Sequence, residues 1–408
     1  MIRIRVEKYF KTHIDKGYLN LSLSILFSAL LFLVSILLPL AVDLNLMGYA
    51  IHKIAILNLI INFAGFGYFA LLLRNLNLPT ADPSFMNEAR LMILISFIFL
   101  FILNLLLSFF SILDLSLFFM LIPVAYLNFL ISYSKSIAFI EFSTLIDTFL
   151  KPLSLPLSIL IVGFYGFNFE FIYSLYILLI LAFTLLYLKK PIPFLFPTRV
   201  SSLKKKNIIN ASNLMLVSLI FILYSQSDII LLNYFLSEEE VAFFYLISRI
   251  CAVLLIIFIS IRNKFSPQIA KLIGNHKYKD TLSLLRTIRN RSLLLSIPAL
   301  FLLVLIAYFL ESYIYDYQFQ GLYVYVFFCS ISYITSSFLS VNEVLFVVTD
   351  HVSKLKYLYL AAFLIGISAS VGLFYSGFGF KSFVIGHCLA FLVSSFLILI
   401  QSRHILKI

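Results

Sequence analysis

The chain has 408 residues, 62% of them hydrophobic and only 12% charged, and a formal net charge of +12. A soluble domain carries roughly 25% charged residues, so this chain cannot cover itself in water. Its apolar residues fall in repeated runs near the ~20 residues an α-helix needs to cross about 30 Å of hydrocarbon, and backbone in lipid must satisfy its own hydrogen bonds. Stretches of about ten alternating residues, which a β-barrel would need, are absent, and the composition reads as an all-α polytopic membrane protein.

Residues 1–18 are basic and polar, an uncleaved cytoplasmic start. The runs between charged breaks then predict about twelve spans, six of them at 19–42, 53–73, 91–111, 115–133, 149–166 and 169–188. A basic, Pro-rich stretch, KKPIPFLFPTRVSSLKKK, follows. The other six spans fall at 208–232, 241–262, 292–310, 322–347, 355–376 and 381–401. The chain thus divides into an N-terminal six-helix lobe (1–190), a cytoplasmic linker (191–207) and a C-terminal six-helix lobe (208–408), parallel repeats with a central cavity between them. With both termini cytoplasmic, 27 of the 30 Lys and Arg residues fall in inside segments. Only Lys53, Arg249 and Lys381 remain, and the outside loops carry Asp43, Asp114, Glu170, Glu238, Glu239, Glu240, Glu311 and Asp316. That asymmetry is the positive-inside pattern of a bacterial inner (plasma) membrane protein, so the net charge indicates topology and attraction to anionic lipid, with no nucleic-acid partner. The long inside loop 263–291 repeats Ile269, Leu272, Ile273, Leu282, Leu285 and Ile288 at helical spacing among bases, which predicts interfacial helices on the inner leaflet. Trp is absent, and the cluster Tyr308, Tyr313, Tyr315, Tyr317, Tyr323 and Tyr325 is expected to anchor the outer face.

The loops exclude several chemistries. The outside turns are short, and the first, DLNLMGY, holds one carboxylate. A membrane glycosyltransferase or polysaccharide polymerase generally needs a sizeable outer loop with paired acids. No P-loop, HExxH or CxxC occurs, and no nucleophile–base constellation is visible. Cys251, Cys329 and Cys388 lie in apolar runs without ligand spacing and read as packing residues, so neither a disulfide nor a metal site is indicated. Translocation is favoured over covalent chemistry, with no catalytic residue and no cofactor expected.

Ionisable groups inside spans are costly and default to cavity candidates. On the seventh span Asn210, Asn213, Tyr224 and Asp228 share a polar stripe, and on the eighth Tyr245 and Arg249 are one turn apart. Asp228 and Arg249 lie at similar depth, which permits a salt bridge. That pair is either structural, or a site in which Arg249 attracts an anionic substrate through its two-pronged guanidinium. Asn58 and Asn62, with Lys53 a turn above, form a comparable stripe in the first half. Asp147 and Glu343 are candidates for coupling to a proton or sodium gradient. His387 is the only histidine well inside a predicted span and reads as a packed neutral imidazole.

The stretch QSDIILLNYFLSEEEVAFFYLISRI, followed by a span and SPQIAKL, resembles polysaccharide repeat-unit flippases of the multidrug, oligosaccharidyl-lipid and polysaccharide exporter superfamily. The likeness rests on the step from Ala242 to Tyr245, on Arg249, and on Pro267, Ile269 and Ala270. In MGYAIHKIAILNLIINFAGFGYFALLLR it rests on Gly48, Tyr49, Gly65, Gly67 and Arg74. The resemblance implies a bilobed bundle with a cavity open alternately to each side. It also implies an undecaprenyl-diphosphate-linked oligosaccharide as substrate, moved outward for O-antigen or capsule synthesis, with a polysaccharide polymerase and a chain-length regulator as partners. A drug exporter of the same superfamily is the alternative, although cation exporters usually need cavity carboxylates rather than an arginine.

Overall fold

The computed structural model describes residues 32–68, 83–109, 128, 151–165, scattered positions between 171 and 182, and then 204–275, 277–316, 318–340, 342–348 and 351–405. Every extended element there is helical. In chain order they are α1 (Phe32–Ala41), α2 (Leu44–Ile61), α3 (Pro83–Phe109), α4 (Lys151–Tyr165), α5 (Lys205–Phe235) and α6 (Glu238–Gly274), followed by α7 (Tyr278–Phe309), α8 (Leu322–Ser340), the short α9 (Glu343–Val348), α10 (Val352–Leu373) and α11 (Phe380–Ile405). Among the described residues six helices are long and apolar enough to cross a membrane. The expected spans at 115–133 and 169–188 lie largely outside the described residues.

The apolar faces meet in one large core that joins α1, α2 and α3 to α5, α6, α8 and α11. Large apolar side chains remain exposed along the outside of several helices, such as Leu294, Phe301 and Leu305 on α7. In water that would be a liability, but for a helix wetted by lipid it is the expected exterior.

Several boundaries differ from the sequence reading; α3 starts at Pro83 instead of 91, and α8 ends at Ser340 instead of 347. The second helix starts at Leu44, directly after Asp43, so the expected outer turn is helical and His52 lies two turns inside the bundle. The same helix ends at Ile61 instead of running to 73, and a 3-10 turn follows at Ala64–Gly67. There Gly65 and Gly67 take φ of 72° and 80°, a left-handed backbone that glycine adopts without a Cβ clash.

The inside loop 263–291 is also not a pair of flat interfacial helices. It is built from the ends of α6 and α7, which continue unbroken through it. At 1.5 Å per residue the 37 residues of α6 reach about 55 Å and the 32 of α7 about 48 Å, well beyond the hydrocarbon thickness. The apolar residues that suggested lipid contact instead pack across this hairpin: Ile269, Ile273, Leu285 and Ile288 form a small core with Leu345.

At the outer end, the end of the bundle that the distribution of bases predicts to face outward, the tyrosines divide. Tyr308, Tyr313 and Tyr323 are exposed as anchors, but Tyr315 turns inward, buried, and donates to the Ile36 carbonyl at 2.7 Å. Tyr317 lies outside the described residues.

Candidate functional site

The turn that opens α6 shows why its sequence is acidic. Ser237 and Glu240 form a capping box: the Glu240 carboxylate accepts from the Ser237 N–H at 3.0 Å, and the Ser237 hydroxyl accepts from the Glu240 N–H at 3.3 Å. Glu239 accepts from the Asn45 side-chain amide at 3.3 Å, and Gly48 of α2 sits against the Glu238 carbonyl so closely that a Cβ would collide with it. Further in, Gly67 lies against the Ala211 carbonyl of α5. The N-terminal helices therefore meet α5 and α6 backbone to backbone at Gly48 and Gly67, two of the glycines on which the family resemblance rests.

The inner end of this seam holds a group absent from the sequence reading. Glu88 of α3 is 1% exposed, and its carboxylate accepts from the Tyr68 hydroxyl at 2.9 Å, the Lys204 N–H at 3.1 Å and the Asn207 amide at 2.8 Å. Lys204 is the N-cap of α5, so the acid also sits where the helix dipole favours negative charge. Glu88 was illegible because its donors lie far away in sequence.

Among the candidate residues, the structure assembles one connected cluster between α5, α8 and α11. Asp228 Oδ2 lies 2.5 Å from His387 Nδ1, and His387 Nε2 lies 2.9 Å from the Tyr333 hydroxyl. Tyr224, one turn before Asp228, shares a hydroxyl hydrogen bond of 3.0 Å with Ser394. Phe391 packs between them, with ring centroids 4.7–4.8 Å from Tyr333, Tyr224 and His387. All of these side chains are buried. Bonded in this way, the carboxyl and the imidazole satisfy each other's polar atoms, which is how ionisable side chains are kept at this depth.

This corrects two expectations. Asp228 pairs with His387, which α11 brings to it, and not with Arg249, whose guanidinium lies over the Tyr245 ring. His387 is also not an isolated packed ring but the centre of the network.

Arg249 instead lies half-buried with its guanidinium 4.7 Å from the centroid of the Tyr245 ring. No carboxylate among the described residues pairs with it. Toward the inner end, Asn213 accepts from Lys356 at 3.3 Å, and Glu343 accepts from the Tyr359 hydroxyl at 2.6 Å. In the first half Lys53 lies over the Tyr49 ring at 5.1 Å. Asn58 and Asn62 are half-buried on α2 and at its end, and the Asn62 Nδ2 has no partner among the described residues. Asp147 and Arg74 lie outside the described residues. The three cysteines are free thiols that gather between α6, α8 and α11. The Cys329 and Cys388 sulfurs lie 3.8 Å apart, and Cys251 is held against Ser330 and the Val326 carbonyl.

No protein-family model matches the chain, and no curated protein matches it in sequence. Solved structures do match in fold. A multidrug resistance MATE family transporter of the MOP superfamily, in an inward-facing conformation, superimposes with a TM-score of 0.68 at 12% identity, covering 92% of this chain and 94% of that one. A MATE in the straight conformation gives 0.64 at 12% identity over 95% and 94%. An outward-facing MATE family transporter gives 0.64 at 12% identity over 96% of each chain. The likeness spans nearly the whole chain, and the fold is that of the MATE structures it matches.

Proposed function

We propose that the chain is a flippase that moves an undecaprenyl-diphosphate-linked oligosaccharide across the bacterial inner membrane by alternating access, for O-antigen or capsule synthesis. The observation that carries this reading is the division of charge inside the bundle. Asp228 is committed to His387 and Glu343 to Tyr359, whereas Arg249 has no acidic partner among the described residues. A half-buried guanidinium left with its charge suits a diphosphate, to which it donates two parallel hydrogen bonds. A cationic drug would need the reverse arrangement. The Asp228–His387–Tyr333 network has the chemistry to take up and release a proton during the cycle, and it replaces Asp147 as the favoured coupling group because its members are in contact. The proposed division into two six-helix lobes, with a linker at 191–207 and cytoplasmic termini, goes with this reading, as do the polymerase and chain-length regulator as partners.

A second reading, a small-molecule exporter, is favoured by the description of the structural neighbours as multidrug transporters. Deletion of the gene in its host separates the two. Loss of surface polymer with complete repeat units accumulating on lipid at the inner leaflet supports the flippase. Intact polymer with altered sensitivity to cationic toxins supports the exporter. Single repeat units reaching the outside unpolymerised would point to a polymerase instead.

A further inference from the structure

His52 lies on α2 four residues beyond Gly48 and so on the same face, the face that meets the C-terminal helices. Its side chain is 5% exposed, yet neither ring nitrogen has a hydrogen-bond partner among the described residues. The ring meets the edge of Tyr234 near the end of α5, with centroids 6.0 Å apart. Asn233, on the same turn of α5, carries a buried amide oxygen that is likewise without a partner among the described residues. Buried polar groups are almost always hydrogen-bonded, so a fully unsatisfied imidazole beneath a backbone-to-backbone seal calls for a reason. A ring that is dry only while the seam is shut, and wetted when it opens, supplies one.

We propose that His52 is a proton-responsive latch of the outer seam. With the seam closed, the neutral ring is trapped between α2 and α5. When α2 parts from α5 and α6, the ring faces outer water, and an aqueous proton adds to the free nitrogen lone pair. The imidazolium cannot return to a dry site beside the Lys53 ammonium, so the seam stays open until the proton is lost. The charged and titratable groups that face this part of the seam among the described residues are Lys53 and Tyr49 on α2, Asp43 before it, Tyr234 on α5, and Glu238 and Glu239 on α6. The acids lie at or above the seal, toward the outside, and Lys53 is next to the ring in sequence. An acidic outer side therefore favours the outward-open form. This rests on the transporter reading above but holds for either cargo.

The test uses the full chain in lipid nanodiscs, with Cys251, Cys329 and Cys388 replaced by alanine. Spin labels are placed at Leu40→Cys and Tyr313→Cys, exposed positions near the outer end of α1 and in the turn Leu310–Ile314 that follows α7. The distance distribution between them is recorded at about pH 8 and about pH 5.5, either side of the ordinary histidine range. The expected result is a longer-distance population that grows on acidification with His52 present. It should be missing at both pH values in His52→Phe, and present at both in His52→Arg, which mimics the charged ring. Equal acid opening in His52→Phe, or no acid response with His52 present, overturns the proposal. If His52→Arg fails to fold, the comparison with His52→Phe still decides. No substrate is involved, so failure here is distinct from a gene deletion that leaves both glycan and drug resistance unchanged.

Discussion

The two ends of the seam between the N-terminal helices and α5–α6 bury a titratable side chain each, in opposite conditions. At the inner end Glu88 is 1% exposed and receives three hydrogen bonds, one from its own half and two from the start of α5. At the outer end His52 is 5% exposed and has no hydrogen-bond partner among the described residues. An unsatisfied buried polar group costs about 1–3 kcal/mol, whereas a satisfied one contributes a little. The inner contact is therefore strong and specific in the state observed, and the outer one is weakened from within. The packing elements are alike, since a glycine meets a carbonyl at both ends, so the difference lies in polar satisfaction.

The largest effect expected from breaking this asymmetry is at Glu88. Replacement by Ala strands the Tyr68 hydroxyl, the Asn207 amide and the Lys204 N–H together, and should lower stability by about 3 kcal/mol. Glu88→Gln, which keeps an acceptor, should lose less. Thermal unfolding of the purified variants ranks them, and equal melting of Glu88→Ala and the native chain would refute the clamp.

Next is Gly48→Val at the outer end, where no side chain fits against the Glu238 carbonyl. The outer distance between labels should be held long at every pH, and glycan export should fall at least tenfold as the cycle loses its outward-closed form. Arg249→Ala tests the cargo rather than the seam. It should abolish export of an anionic lipid-linked glycan at normal expression, while Arg249→Lys, with charge but no fork, should retain part of it. Normal export by Arg249→Ala would remove the guanidinium from the site.

The smallest effect concerns Glu238. Burial, reinforced by Asp43 and opposed by Lys53, holds its carboxyl above the usual range. A carboxyl raised in the closed form disfavours its own ionisation there, so closure weakens as pH rises through the ordinary carboxylate range. The group is mostly solvated, so the slope should be slight. Glu238→Gln should flatten it without touching the response near neutrality assigned to His52. A pH titration of the label distance in both variants separates the two windows.

Most of the architecture was legible because lipid imposes simple rules. Runs near 20 apolar residues located α5, α10 and α11 to within a few residues. The cargo-facing candidate Arg249 also stood out, since an arginine in such a run is rarely accidental. Errors arose where helix ends are set by tertiary partners. The polar stretch DLNLMGY looked like a turn, but Gly48 lets α2 pack on Glu238, and the packing keeps those residues helical. The basic repeat of 263–291 looked interfacial because its apolar stripe had no visible partner, and the partner is the other half of the same hairpin.

Sequence alone thus determined the solvent of this protein, its helical class and which residues are expensive enough to matter, because those follow from local composition and period. Tertiary structure decided the pairings. Asp228 turned out to belong to His387 across 159 residues and Glu88 to Asn207 across 119, while His52 was left with no partner among the described residues. Such pairings depend on how helices cross, and the spacing of residues along one chain carries no record of that geometry.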